Sequence, residues 1–162
     1  MYTYLAAAAN VYITSGSVSD NAAGTGARTF LAKGLDANYE EVSTTGPLAG
    51  QVGVLLGEWI RVTSIEVLTA GSGNANAGIL YIGTEAVPTA GVPTNKYATV
   101  ALGDNASQMT LVTVPKGYTG YIHRIHVSAA SSSGKFSVFS LVARRFGEVF
   151  QIHDRVYLDT NV

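Results

Sequence analysis

The chain has 162 residues, 13% of them charged, a formal net charge of −1, no cysteine and a positive mean hydropathy. That length suits one domain with a real core; the balanced charge supplies no field to recruit nucleic acid or an anionic membrane, and without cysteine there are no disulfides, thiolate chemistry or cysteine zinc sites. The charged fraction is about half the globular norm of roughly 25%, and no window reaches the ~18 consecutive apolar residues of a spanning helix, so the sparse charge reads as surface covered by neighbouring subunits.

In chain order, Met1-Tyr2-Thr3-Tyr4-Leu5 and the alanines to Ala9 lack the positive leader of a signal peptide and read as an N-terminal arm over residues 1–9 or a first edge strand. Asn10 to Thr14 is a short strand, and Ser15 to Ala27 a glycine-serine loop. Arg28 to Leu35 is a second strand, and Leu35-Asp36-Ala37-Asn38 a hairpin turn, because Asp and Asn bond their own backbone. Tyr39 to Thr45 returns with a half-polar face, as an exposed edge does. Gln51 to Leu56 leads to a break at Gly57, and Glu58 to Ala70 is a long strand carrying Trp59, the single tryptophan. After the loop Gly71 to Gly78 come Ile79 to Gly83, an irregular stretch punctuated by Pro88, Gly91 and Pro93, and a short strand from Ala98 to Leu102.

The spacing predicts the chain's organising region over Gln108 to Arg145: a strand to Val114, a turn at Pro115-Lys116-Gly117, a strand from Tyr118 to Ser128, a serine-rich loop, and a strand from Lys135. In that last run Phe136, Val138 and Val142 face one way and Phe139, Leu141 and Ala143 the other, the pattern of a strand buried on both sides, at the middle of a sandwich or at a subunit contact. Phe146-Gly147-Glu148 turns the chain and Val149 to Leu158 closes it. No window sustains a 3.6-residue apolar period, and strands recur every ten or so residues. The expectation is all-β: one antiparallel, jelly-roll-like β-sandwich domain over residues 1–162.

No catalytic, metal or cofactor set converges in the sequence. His123 and His126, three apart on a strand, lie on opposite faces, and His153 would come from another strand. Asp36 to Glu40 alternates oxygens like a calcium loop, but Glu41 stands where the sharp turn needs glycine and Pro47 where a bidentate carboxylate is needed. Gly24-Thr25-Gly26 and the Gly71 to Gly78 loop open no helix and lack the Lys-Ser/Thr pair of a phosphate cradle. Ala70-Gly71-Ser72-Gly73 does not fit a nucleophile elbow, and the carboxylates are scattered. An enzyme is therefore not expected. The aromatic and arginine residues suggest contacts instead: tyrosine suits surfaces with one dry and one wet end, and arginine pairs carboxylates across interfaces. The candidate contact residues are Tyr2, Tyr4, Tyr12, Trp59, Arg124, Arg144, Arg145 and Arg155.

Several ordered segments carry a resemblance: Ala23-Gly24-Thr25-Gly26-Ala27-Arg28-Thr29, Gly34-Leu35-Asp36-Ala37-Asn38-Tyr39-Glu40-Glu41, Thr69-Ala70-Gly71-Ser72-Gly73-Asn74, Val114-Pro115-Lys116-Gly117-Tyr118-Thr119-Gly120-Tyr121-Ile122, and Gly147-Glu148-Val149-Phe150. Together, over roughly residues 10–158, the set resembles small virion structural proteins of tailed bacteriophages, many from marine and cyanobacterial phages; each segment alone is only strand-and-turn chemistry. The resemblance implies a capsid decoration or cement protein: a non-enzymatic virion component, assembled as a homotrimer on the major capsid protein, with no cofactor, nucleic acid or membrane partner. The alternatives are a tail or fibre component, or a glycan-binding adhesion module using exposed aromatics.

Overall fold

A computed structural model describes residues 4–126, 136–145 and 148–159. The protein is all-β and antiparallel, with one short 3₁₀ turn at Thr89–Gly91. Six strands form one sheet: β1 (Ala9–Ser15), β2 (Ala27–Asp36), β3 (Glu41–Pro47), β4 (Val54–Ala70), β5 (Leu80–Gly83) and β6 (Ala98–Val100), in the order β3-β2-β4-β1-β5-β6. Strands β7 (Phe136–Ala143) and β8 (Gln151–Asp159) form a separate two-stranded sheet. The sequence treats residues 1–162 as one domain; the contacts fall into two compact units, Met1–Thr119 and Gly120–Val162.

In the N-terminal unit β4 is the spine. Its first part, Val54 to Trp59, pairs with β1, and its second, Trp59 to Ala70, pairs with β2. Where β1 has ended, residues 105–107 take its place: Ala106 bridges Glu66, the Val67 N–H donates to the Asn105 carbonyl at 2.7 Å and the Ser107 N–H to that of Ile65 at 2.9 Å. The path β1-β5-β6 thus comes back to β4, and the sheet curls over its own core in a sandwich-like manner. Alternation fills that core: Val11 and Ile13 of β1, Phe30 of β2, Ile65 of β4, Leu80 and Ile82 of β5 are all fully buried.

Two glycines allow elements to approach where a side chain could not. A methyl at Gly34 would overlap the Arg61 carbonyl and the Trp59 ring, so β2 and β4 close only because that position is bare. Gly91, at φ 75°, lies against the Ser15 carbonyl and lets the 84–97 stretch cover β1; the Thr14 hydroxyl donates to the Gly91 carbonyl at 2.8 Å. That cover explains why Thr14 and Ser15 are buried on a strand whose other face is already core.

The expected strands of the first hundred residues form with shifted ends, and the Asp36 hairpin forms as its turn chemistry requires. Glu41–Pro47 pairs only with β2 and is the sheet edge. β4, however, begins at Val54: Gly57, read as a break, adopts φ 139° and continues the strand beside a bulge. The larger correction concerns the expected organising region. Residues 108–126 form no strand, and they expose Val112, Tyr118, Tyr121 and Ile122. The expected loop over 129–134, the end of the second strand at Val127 and Ser128, and the turn residues Phe146 and Gly147 lie outside the described residues. The expected doubly buried strand exists as β7, but Val138, Phe139 and Val142 are exposed on it, at 45%, 38% and 38%. An antiparallel ribbon of two strands has no third element to bury either face.

Candidate interaction surface

Buried polar groups hold the N-terminal unit in one shape, and the central one is Asp20. Its side chain, fully buried in the Ser15 to Ala27 loop, accepts four hydrogen bonds: at Oδ1 from the backbone N–H of Ala27 (2.7 Å) and Ala77 (2.8 Å), and at Oδ2 from the Gly78 N–H (2.9 Å) and the Ser15 hydroxyl (2.5 Å). The two glycine-rich loops do form an anion cradle of amides, and the group in it is the chain's own carboxylate. Four donors on two oxygens leave that side chain no capacity for an external ligand. Sequence reasoning passed over Asp20; the available signal was a lone acid between two loops rich in free amides.

Asn76 performs the same task one loop further on. Its amide donates to the carbonyls of Gly78 (2.7 Å) and Ala101 (2.8 Å), while Asn76 and Asn105 exchange backbone-to-side-chain bonds at 3.1 Å each way. Beside this clasp lies an open cleft of about 180 Å³ lined by Val67, Leu68, Thr69, Ala70, Asn74 and Asn105, with no titratable group on its wall. Among the described residues no three His, Asp or Glu side chains gather at metal-ligand distance. His123 and His126 are exposed on the unpaired stretch, and His153 falls at the β7–β8 register shift, opposite no ladder partner. Asp36 Oδ1 is engaged by the N–H groups of Asn38 (2.8 Å) and Glu40 (3.0 Å), which is turn capping.

The candidate contact residues fall into three environments. Tyr2 lies outside the described residues. Tyr4 and Leu5 fold back on their own chain: Arg61, only 7% exposed, places its guanidinium 5.0 Å from the Tyr4 ring centre and 5.6 Å from that of Tyr39. Arg61 also donates to the carbonyls of Leu5 (2.9 Å) and Ile60 (2.6 Å). A cation held between aromatic faces and carbonyl dipoles is satisfied without a carboxylate, and it ties the chain start from Tyr4 to β4. Trp59 is 3% exposed and belongs to the core of its own chain; Tyr12, on β1, is half-buried.

The arginines lie in the C-terminal unit. Arg124, Arg145 and Arg155 are exposed; Arg144 stacks over Phe150 at 4.9 Å and donates to the Glu148 carbonyl at 3.3 Å. Around them the apolar side chains are on both faces of the ribbon. Cross-strand pairs Val138–Tyr157 and Val142–Ile152 lie on one face, and Phe139–Val156 on the other. All six are exposed, from 38% for Phe139, Val142 and Val156 to 64% for Tyr157. Such a concentration of large apolar groups in water marks an interaction surface. The chain is thus an antiparallel β-protein with a polar-clasped N-terminal unit and an apolar, arginine-bearing C-terminal ribbon. No family model, curated protein or solved structure matches it.

Proposed function

We propose that this chain is a non-enzymatic virion structural protein: a capsid decoration or cement protein of a tailed bacteriophage, acting as a homotrimer seated on the major capsid protein. The observation that carries the reading is the set of exposed large apolar residues among the described ones between Val112 and Tyr157, on a chain only 13% charged whose N-terminal unit is held by buried polar clasps. The ordered sequence resemblance supports it. The mechanism is additive burial: each copy covers apolar surface worth roughly 25 cal/mol per Å², and many modest contacts together hold neighbouring capsomers against internal pressure. Association costs several kcal/mol per copy, so the contact must approach about 800 Å² on each partner to persist.

The test is imaging of intact particles with this chain labelled, together with addition of purified protein to heads lacking it. The expected result is occupancy at fixed, repeated sites on the head, and heads that rupture at higher temperature once decorated. Labelling confined to the tail overturns the head assignment. Tyr118, Tyr121 and Tyr157, exposed at 76%, 78% and 64%, favour a second reading, a tail or fibre module that stacks glycan rings on aromatic faces; saturable binding to host glycans, abolished by Tyr121→Ala, is the outcome that selects it.

A further inference from the structure

Residues 108–126 have the side-chain pattern of strands and form none; Met109, Leu111 and Thr113 are half-buried, Met109 against the core, while Thr110, Val112 and Val114 between and beyond them are exposed. Leu111, Val112 and Val114 precede a turn at residues 115–118 and Tyr121, Ile122 and Ile125 follow it, and the backbone hydrogen bonds described for this stretch are the Lys116 N–H to the Tyr39 carbonyl and the Tyr118 N–H to the Pro115 carbonyl. Val112 is 87% exposed and Ile122 66%. The ribbon β7–β8 shows the complementary deficiency: among the described residues each strand pairs on one side only, and both faces carry exposed apolar pairs. Open edges and unladdered, strand-patterned segments are what backbone-mediated strand addition joins.

The partner that supplies both parts is another copy of this chain. Its charge is divided to suit: residues 1–119 hold five Lys or Arg against eight carboxylates, and residues 120–162 hold five against three, so unlike ends of two copies attract. The size is sufficient as well. Strands of eight and nine residues at about 3.3 Å per residue, with two faces, plus the exposed side chains of residues 108–126, offer on the order of 800 Å² per copy, the figure a standard stable contact requires.

We propose that residues 108–126 and the β7–β8 ribbon are the self-association element, each copy's open ribbon being completed by these same segments of neighbouring copies. The inference deepens the assembly reading and rests on it: these segments are what joins the copies.

The experiment measures the mass of the full-length chain in solution by light scattering, with hydrogen exchange read over residues 108–126. Wild type is expected at a whole multiple of 16.9 kDa, with slow exchange in that segment. Two double variants follow. Val112→Glu/Ile122→Glu alters side chains with almost no packing of their own to lose; Val138→Lys/Val156→Lys charges both faces of the ribbon. Both are expected to fall to the mass of one chain and to exchange rapidly over 108–126, while Trp59 emission, reporting the N-terminal core, stays as in wild type. A wild-type chain that is monomeric overturns the proposal. So does a Val112→Glu/Ile122→Glu variant that keeps wild-type mass, whatever the ribbon variant does. The two readings separate cleanly: an oligomer that dissociates as described yet never decorates heads defeats only the capsid assignment, and a monomer that decorates them defeats this inference and the trimer while the capsid assignment stands.

Discussion

The two units use similar strand sequences to opposite ends. In the six-stranded sheet of the N-terminal unit Val11, Ile13, Phe30, Trp59, Val62, Ile65 and Ile82 are buried, and the polar groups among them are satisfied: among the described residues no buried side-chain nitrogen or oxygen lacks a partner. In the C-terminal unit equally apolar residues stand in water on both faces of a ribbon. What separates the two is the number of strands brought together: six in one sheet, two in the other. A curled sheet of six has an inside, whereas a ribbon of two has only outsides. Apolar alternation is therefore a statement about a surface that needs covering, and the cover belongs either to the same chain or to another one.

That contrast is broken most severely at Asp20. Asp20→Ala removes the acceptor of four hydrogen bonds and orphans the buried amides of Ala27, Ala77 and Gly78; at 1–3 kcal/mol per stranded donor, a loss of about 5 kcal/mol is expected. Urea denaturation followed by Trp59 fluorescence measures it, and a loss under about 1 kcal/mol contradicts the account of the clasp. Phe30→Ala, emptying the centre of the curled sheet, is expected to cost about 4 kcal/mol by the same assay.

A more local effect is expected from Arg61→Met. It keeps the apolar stem and deletes the bonds to the Leu5 and Ile60 carbonyls and the stacking on Tyr4 and Tyr39, for about 2 kcal/mol. Hydrogen exchange at the chain start should accelerate more than exchange in β5. Lys33→Ala removes a 3.7 Å ion pair with Glu66 between side chains about half exposed, and should cost at most about 0.5 kcal/mol. The smallest change sharpens the comparison instead. Val112→Ser, at a position 87% exposed, should leave the N-terminal unit's unfolding within about 0.5 kcal/mol of wild type. A large shift there would mean that this segment is already packed inside its own chain.

Local chemistry made much of the N-terminal unit readable. Asp36 and Asn38 announce a turn because their side chains bond nearby amides, and that turn forms with Asp36 as its cap. The half-polar alternation of the strand after it reads as an edge, and β3 is one. Gly57 misled because a glycine in a strand signals either a stop or a bulge, and only pairing against Val11 decides which. Asp20 was illegible for a related reason: its donors lie up to 58 positions away, in a loop whose sequence gives no sign of where its amides point.

By itself the sequence determined the class of this protein: an all-β, antiparallel chain whose strands β1 to β6 lie roughly where alternation and turn residues place them, because those preferences are properties of neighbouring residues, while the same preferences over 108–126 yield no strand. Only the tertiary structure decided which apolar strands have a partner. It gave β1, β2 and β4 to β6 a shared interior, closed it with one buried carboxylate and one buried asparagine, laid Met109 against that core, and left Val112, Tyr121, Ile122 and the apolar pairs of the ribbon exposed, since burial depends on residues far apart in the chain and period-2 patterning is the same on both sides of that choice.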